Sequence, residues 1–527
     1  MKNTIKTILS LLCGAAILAS CTKDESAKSV IAVDVTAFNE VAASNPADLA
    51  VSVTSNVNWI VQTPSWITPS ATYGSGNAIV TFKVGENYVN ETTTVQPRSG
   101  EIKISGGGAM NGDGVTVTIP VKQSGFTYID PAAPVGGIAT PDHFVDFLKA
   151  VAGGTGTSRW EDESGEVVLL DNVDLSEVTE YQQYVASVIN ANNDCTIESN
   201  AFSGTFNGNG YRITGFNPTV ELAANQTFGL FPAVNEAVIK NVVLEGSMTI
   251  SATAQSDAGL LVGTSLNSTI QNVTVNGTLY STGTEASARF ALGGIVGFAC
   301  ATGSLNNLIE NCTSNVAVEA VGGANTANGG TCAMYGGIAG FSTYNKGEGR
   351  STIRNCVNNG NMTVTLGRCS GIVATPNGGT VLDGCTNNGD QVNAISNGRL
   401  ANICCVIGQD GKLVNCVNNG DLEAMTSGGS GTCAGLVALL NHATVSVDGG
   451  GNYGVIRTDR ADGKYVGLLV ANFSKFATVS NVVVSGGIEI SGAATAINEG
   501  NFMDYIGTCS AANLANVTGL TWVAPAN

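Results

Sequence analysis

The sequence predicts an all-β protein: a small antiparallel β-sandwich followed by a right-handed parallel β-helix, a solenoid capped by one short N-terminal helix. Three observations lead there. Glycine is abundant, at 67 of 527 residues, while only 12% of the chain is charged, about half the share of an ordinary soluble protein. Short runs of β-branched residues alternate with polar ones before residue 125, the rhythm of strands with one buried face. Short apolar motifs then recur at spacings of 31 to 44 residues, the period of a solenoid coil. Only 12 prolines and no strict placing of glycine at every third residue exclude collagen, and 43% hydrophobic residues exclude a wholly disordered chain. The formal charge of −18, from 23 Lys+Arg against 41 Asp+Glu, argues against nucleic acid as the main partner and against a basic patch on anionic lipid.

Residues 1–20 carry Lys2 and Lys6 and then an apolar run from Ile8 through Leu18 that is too short to span a bilayer. They read as a signal peptide. Its end, Leu18-Ala19-Ser20-Cys21, resembles the lipobox of bacterial lipoproteins. The resemblance implies cleavage before Cys21 and acylation of that cysteine, with several acyl chains giving stable anchoring where one would be marginal. Cleavage removes two lysines and takes the charge from −18 to −20. Residues 21–30 are then a tether, and Thr22-Lys23-Asp24-Glu25-Ser26 resembles the surface-export tether of Bacteroidetes lipoproteins. The implied address is the outer membrane, lipid-anchored and exposed at the cell surface.

Residues 31–125 form the sandwich. Alternating runs such as Ile79-Val80-Thr81-Phe82-Lys83-Val84 and Val115-Thr116-Val117-Thr118-Ile119 are bounded by Gly/Asn/Ser turns at 74–77 and 106–114. Trp59 and Trp66 stand seven apart. With Arg98-Ser99-Gly100-Glu101-Ile102 and the closing Val121-Lys122-Gln123-Ser124-Gly125, this stretch resembles the BACON domain. The resemblance implies an immunoglobulin-like module and either carbohydrate or mucin binding or a spacer role. A tryptophan in so small a sandwich is expected in the core, where it buries a large apolar area.

Residues 126–140, with Pro131, Pro134, Gly136 and Gly137, read as a linker, and residues 141–527 as the cap helix and β-helix repeats. Thr140-Pro141-Asp142-His143 supplies an N-cap and a proline at the first helical position. Phe144, Phe147, Leu148 and Val151 then share a face before Gly153-Gly154 ends the helix. A β-helix exposes the apolar core and hydrogen-bonding edge of its first coil, so a helix here acts as a lid. His143 is accordingly expected as a surface residue of the cap.

From Phe202 the chain repeats. A glycine-flanked apolar strand is expected at Gly259-Leu260-Leu261-Val262-Gly263, Gly293-Gly294-Ile295-Val296-Gly297, Gly336-Gly337-Ile338-Ala339-Gly340 and Val466-Gly467-Leu468-Leu469-Val470. Each precedes a second strand ending in an asparagine, as in Ile239-Lys240-Asn241-Val242, Ile270-Gln271-Asn272-Val273, Ile309-Glu310-Asn311-Cys312, Ile353-Arg354-Asn355-Cys356 and Leu413-Val414-Asn415-Cys416. Those asparagines lie 31, 39, 44 and 60 residues apart, and the last gap holds a further copy at Leu382-Asp383-Gly384-Cys385. The first strand resembles the GLUG motif of bacterial adhesins and peptidases, with Ile often in place of Leu. Asn-Asn-Gly at 358–360, 387–389 and 418–420 reads as a stacked turn, because asparagine tolerates left-handed backbone angles and bonds laterally to its copy.

Chemistry-bearing residues are few. Of 14 cysteines, Cys13 leaves with the signal and Cys21 takes lipid. Cys312, Cys356, Cys385 and Cys416 occupy one repeat position, and Cys369, Cys404 and Cys433 are assigned to another. Buried thiols need no bond, exported proteins favour disulfides, and both readings stand for the remaining 12. No Cys-x-x-Cys pair calls for zinc, and no cofactor or metal is implied. His143 and His442 lie in no catalytic motif. Asp390 stacked over Asp421 is the nearest thing to a calcium or lyase cluster, but the equivalent residue below is Asn361 and no Arg or Lys stands at that turn. Asp383, Asp410 and Glu423 do not pair by register, as a glycosidase would require.

These readings converge on a non-catalytic cell-surface lipoprotein that binds extracellular glycan or a mucin-like glycoprotein through its β-helix, with no catalytic residues assigned. The alternatives are a polysaccharide lyase or glycoside hydrolase on the same scaffold, and a structural stalk or protein-binding adhesin.

Overall fold

A computed structural model describes residues 28–525 apart from 91–92, 108–113, 127–134, 189–194, 198–199, 253–254, 283–289, 322–332, 366, 394–398, 425–431, 461–463 and 474–475. The stretch expected to be a signal peptide, Cys21 and most of the expected tether lie outside the described residues, as does much of the expected linker. The chain divides into two compact units, Met1–Ala133 and Pro134–Asn527.

The first unit is a two-sheet sandwich. Ile31–Val33, Leu49–Ser55, Ala78–Val84 and Ile67–Pro69 form one sheet in that order; Phe38–Val41, Val115–Gln123, Arg98–Gly106, Asn58–Gln62 and Tyr73–Ser75 form the other. Alternation places Val51, Val53, Val80, Phe82, Ile102, Ile104, Ile119 and Val121 between the sheets. Trp59 is 2% exposed, as expected of a core residue. Its Nε1 donates to the Gly76 carbonyl at 3.0 Å. Gly74 is required opposite it, because a Cβ there would stand 2.2 Å from the indole. Trp66 is half-buried, with the Arg98 guanidinium 4.6 Å above its ring.

The second unit is a parallel β-helix with four columns of strands, of eleven, eighteen, nine and eight members. One coil runs Ser256–Gly259, Val262–Leu266, Thr269–Gln271 and Thr274–Thr282 before the next begins at Phe290. Each residue pairs with its own copy: Ile239, Ile270, Ile309, Ile353, Leu382, Leu413, Val447 and Val479 form one continuous inward column. The cap helix spans Pro141–Gly153, with Thr140 Oγ1 accepting from the His143 N–H and Gly154 closing it at φ 63°. Its Phe144 and Phe147 pack on Phe206 at 6.3 and 5.7 Å between centroids, and Trp160 meets Phe147 at 5.8 Å. These rings plug the first coil, and His143 rides half-buried beside them.

Two local expectations need correction. The Gly259–Gly263 motif is a corner rather than a strand: one strand ends at Gly259, the next begins at Val262, and the buried Leu260 and Leu261 turn between them. The glycines are there because the outward sides of the nine- and eight-stranded sheets close on each other. A Cβ at Gly297 would stand 2.5 Å from the Ala258 nitrogen, and one at Gly340 2.5 Å from that of Leu292. The closed angle buries a second apolar cluster that includes Ala291, Phe298, Met334 and Phe341.

The left-handed backbone belongs to Asn241, Asn272, Asn311, Asn355 and Asn415, with φ between 50° and 55°, and not to the Asn-Asn-Gly triplets. The triplets lie in extended chain, so their two asparagines point to opposite sides of the sheet. The first, at 358, 387 and 418, is fully buried and the second, at 359, 388 and 419, is exposed.

Candidate functional site

The eighteen-stranded sheet, hereafter the broad sheet, presents the outward face with the most regular chemistry. Inside it, Asn358 Nδ2 donates to Asn387 Oδ1 at 2.9 Å, Asn387 to Asn418 at 2.9 Å and Asn418 to Asn452 at 2.7 Å. Each of the four amides also donates to a backbone carbonyl two residues on. Buried amides carry a large desolvation cost unless paired, and stacking identical coils supplies the pair automatically. Gly337, Gly371 and Gly435 face this ladder, and a Cβ at any of them would come within 2.4 Å of an asparagine side chain.

Outside, a second ladder is exposed. Asn315 Nδ2 donates to Asn276 Oδ1, Asn359 to Asn315, Asn388 to Asn359 and Asn419 to Asn388, all at 2.8 Å. Tyr453 occupies the next position and is 44% exposed.

Two residues along each strand stand the acids. Asn361 Oδ1 accepts from the Asp390 N–H, Asp390 Oδ1 from the Asp421 N–H and Asp421 Oδ1 from the Val455 N–H, at 2.9, 2.9 and 2.8 Å. Asp390 and Asp421 are therefore stacked as expected. The expected lack of a base is corrected: Arg457 Nη1 lies 2.7 Å from Asp421 Oδ2, and its Nε 3.1 Å from Glu489 Oε2. The hydrogen bond that Arg457 donates to Asp421 holds its guanidinium above the ordinary pKa. Arg457 escaped sequence reading because it sits one coil on, two residues past the turn, where Tyr453-Gly454-Val455 breaks the Asn-Gly-Asp pattern. Glu423 is register-paired to Arg457. Asp383 sits on the eleven-stranded sheet beside Arg354, and Asp410 at a left-handed turn where its N–H donates to Thr444 Oγ1. His442 Nδ1 lies 3.0 Å from that hydroxyl.

Cys312, Cys356, Cys385 and Cys416 form one buried column, each two residues after the register-paired ends of the eleven-stranded sheet. Cys369 and Cys433 flank Leu400 in the nine-stranded sheet. Cys404 does not share their position: it pairs with Val373 and Val437 across the corner. Burial pushes the Cys433 thiol up to about 12 and raises those of Cys356, Cys369, Cys404 and Cys416. Such thiols are poor nucleophiles. Cys195 and Cys300 form a disulfide. No three His, Cys, Asp or Glu side chains gather into a metal-binding group among the described residues, and none of the described helices is long and apolar enough to cross a membrane.

On the sandwich, an open depression of about 580 Å³ runs beside Trp59, bordered by Ile60, Tyr73, Gly74 and Ser105. Ile60 and Tyr73 are cross-strand neighbours, 50% and 77% exposed.

No protein-family model matches the chain. It is 33% identical over 124 residues to Halomucin of Haloquadratum walsbyi (strain DSM 16790 / HBSQ001), a match over 23% of this chain and 1% of that protein. Among solved structures it is similar to a proposed immunoglobulin A1 protease from Bacteroides ovatus, with 14% identity and a TM-score of 0.36 over 74% of this chain and 84% of that one. It is similar also to a Bacteroides ovatus GH5 xyloglucanase in complex with a XXXG heptasaccharide, with 15% identity and a TM-score of 0.16 over 36% and 37%.

Proposed function

We propose that the chain is a non-catalytic lipoprotein of the outer membrane, exposed at the cell surface, that binds an extracellular glycan or mucin-like glycoprotein through the outward face of its β-helix. The observation that carries the reading is the exposed side of the broad sheet, where amides repeat in register on five successive coils and an aromatic ring takes the next place. Polar groups at a fixed spacing on a long, shallow surface suit a ligand that itself repeats. The lipobox-like and BACON-like segments supply the address and the ligand class. The Cys195–Cys300 disulfide agrees with an oxidising, exported setting.

The test is a glycan array and mucin pull-down, run beside assays for new reducing ends and for unsaturated products. Binding in the micromolar to millimolar range, roughly −8 to −4 kcal/mol, without cleavage is the expected result. Blank arrays and pull-downs would hand first place to a stalk or protein-binding adhesin. The anchor is checked separately: Cys21→Ala should abolish fatty-acid labelling and release the protein from the membrane, and labelling equal to wild type would remove the lipoprotein reading.

A second reading, a β-helical polysaccharide lyase or glycoside hydrolase, draws on Asp390, Asp421 and Glu489 standing on neighbouring coils with Arg457 between two of them. Cleavage products lost on Asp421→Asn would favour it.

A further inference from the structure

The outward column that runs through Val357, Thr386 and Val417 and continues to Val483 is interrupted at one coil by Gly451. Tyr453, two residues later, leans back over that gap: a Cβ at 451 would stand 3.4 Å from Tyr453 Cε2. The ring thus reaches over the place that a side chain at 451 would fill, while 44% of the residue stays open to solvent. A flat aromatic surface held this way is a partner for the C–H face of a sugar ring.

The amide ladder leading to it has a direction. Each Nδ2 donates to the Oδ1 of the coil before, so Asn419 spends its amide on Asn388 at 2.8 Å. Its own Oδ1 meets no protein donor among the described residues, because Tyr453 stands where the next amide would be. An exposed acceptor therefore borders the open ring, and Asp421, two residues along from Asn419, opens an ion network that continues to Arg457, four residues past Tyr453, and to Glu489 on the next coil. Aromatic ring, amide and carboxylate together match a pyranose, whose apolar face is rimmed by hydroxyls that both donate and accept.

Charge narrows the ligand class. On the broad sheet of these coils Arg457 is outnumbered by Asp390, Asp421, Glu423 and Glu489, with Asp459 and Arg460 just beyond it, and the whole chain carries −18. A uronate, sialylated or sulfated chain would be repelled.

We infer that Tyr453, with Asn419 beside it, is a binding site for a neutral pyranose unit, hexose or N-acetylhexosamine, of an extended glycan laid along the broad sheet. This rests on the glycan-binding reading above and gives it a place and a ligand class. Coils rise by about 4.8 Å, so the amides from Asn419 back to Asn276 continue the track.

The experiment measures binding of the full chain to mannan, xylan and chitohexaose, with polygalacturonate and heparin as acidic probes. At least one neutral probe should bind and the acidic ones should not. Tyr453→Ala should weaken that binding roughly tenfold or more, Tyr453→Phe should retain it, and Asn419→Ala should give a smaller loss. All three variants should melt like wild type, since both side chains are exposed. Tyr73→Ala on the sandwich should bind like wild type. If wild type bound none of the probes nor any glycan on the array, the glycan reading itself would fail. If wild type bound and Tyr453→Ala, normally folded, bound equally well, the site would be wrong while the reading survived. Preference for polygalacturonate or heparin would overturn the neutral ligand class.

Discussion

The sandwich and the solenoid bury side chains by opposite rules. In the sandwich, Trp59 is surrounded by unlike residues from distant strands, and its one polar atom needs a specific carbonyl, that of Gly76. In the solenoid a residue meets copies of itself: Ile295 lies in a corner chain with Leu261, Ile338, Ile372 and Ile403, and the N–H groups of Leu261, Ile295, Ile338 and Ile403 each bond the corner of the next coil. The difference teaches where polar residues are tolerated. A buried asparagine in the sandwich would need a tailored partner, whereas Asn387 is served by Asn358 and Asn418 simply because coils stack.

The largest expected effect separates the two units. Ile295→Asp places an unpaired charge in a fully buried corner and should cost about 4 kcal/mol or more, unfolding the solenoid while the sandwich remains protected in hydrogen exchange. Equal loss of protection in both would break the claim of independent cores. Trp59→Ala should cost roughly 3–5 kcal/mol and act the other way, lowering sandwich protection while the solenoid is unchanged. Asn387→Ala comes third. It removes a donor and an acceptor from the inner ladder and should cost about 1–3 kcal/mol, localised to the coils holding Asn358 and Asn418. A melting curve indistinguishable from wild type would mean that water, and not the neighbouring amides, satisfies those groups.

Legibility in the sequence followed the same division. The cap helix was readable to its first and last residues because Thr140, Pro141 and Gly154 are local signals. The thiol column was readable because Cys312, Cys356, Cys385 and Cys416 each follow the same strand ending. What depends on contact between sheets was not. Gly259 and Gly263 look like strand punctuation until the close approach of a neighbouring backbone explains them. Cys404 was misplaced because the loops between coils differ in length, so counting residues across them does not preserve register. Arg457 was missed because Tyr453-Gly454-Val455 breaks the Asn-Gly-Asp pattern on its coil. Of the candidate site, the asparagines were visible as triplets, but which amide faces outward is decided by strand alternation, and the role of Gly451 beneath Tyr453 exists only in three dimensions.

The inner asparagine ladder also bears on how such a chain can change over generations. Asn387 and Asn418 are 31 residues apart and make the same bonds upward and downward. A duplicated stretch of that length would arrive with every buried donor and acceptor already matched, and its deletion would leave none stranded. Copy number is then open to genetic drift in a way that single buried positions are not, so the length of the solenoid becomes a trait that lineages can adjust one coil at a time, without inventing a new core.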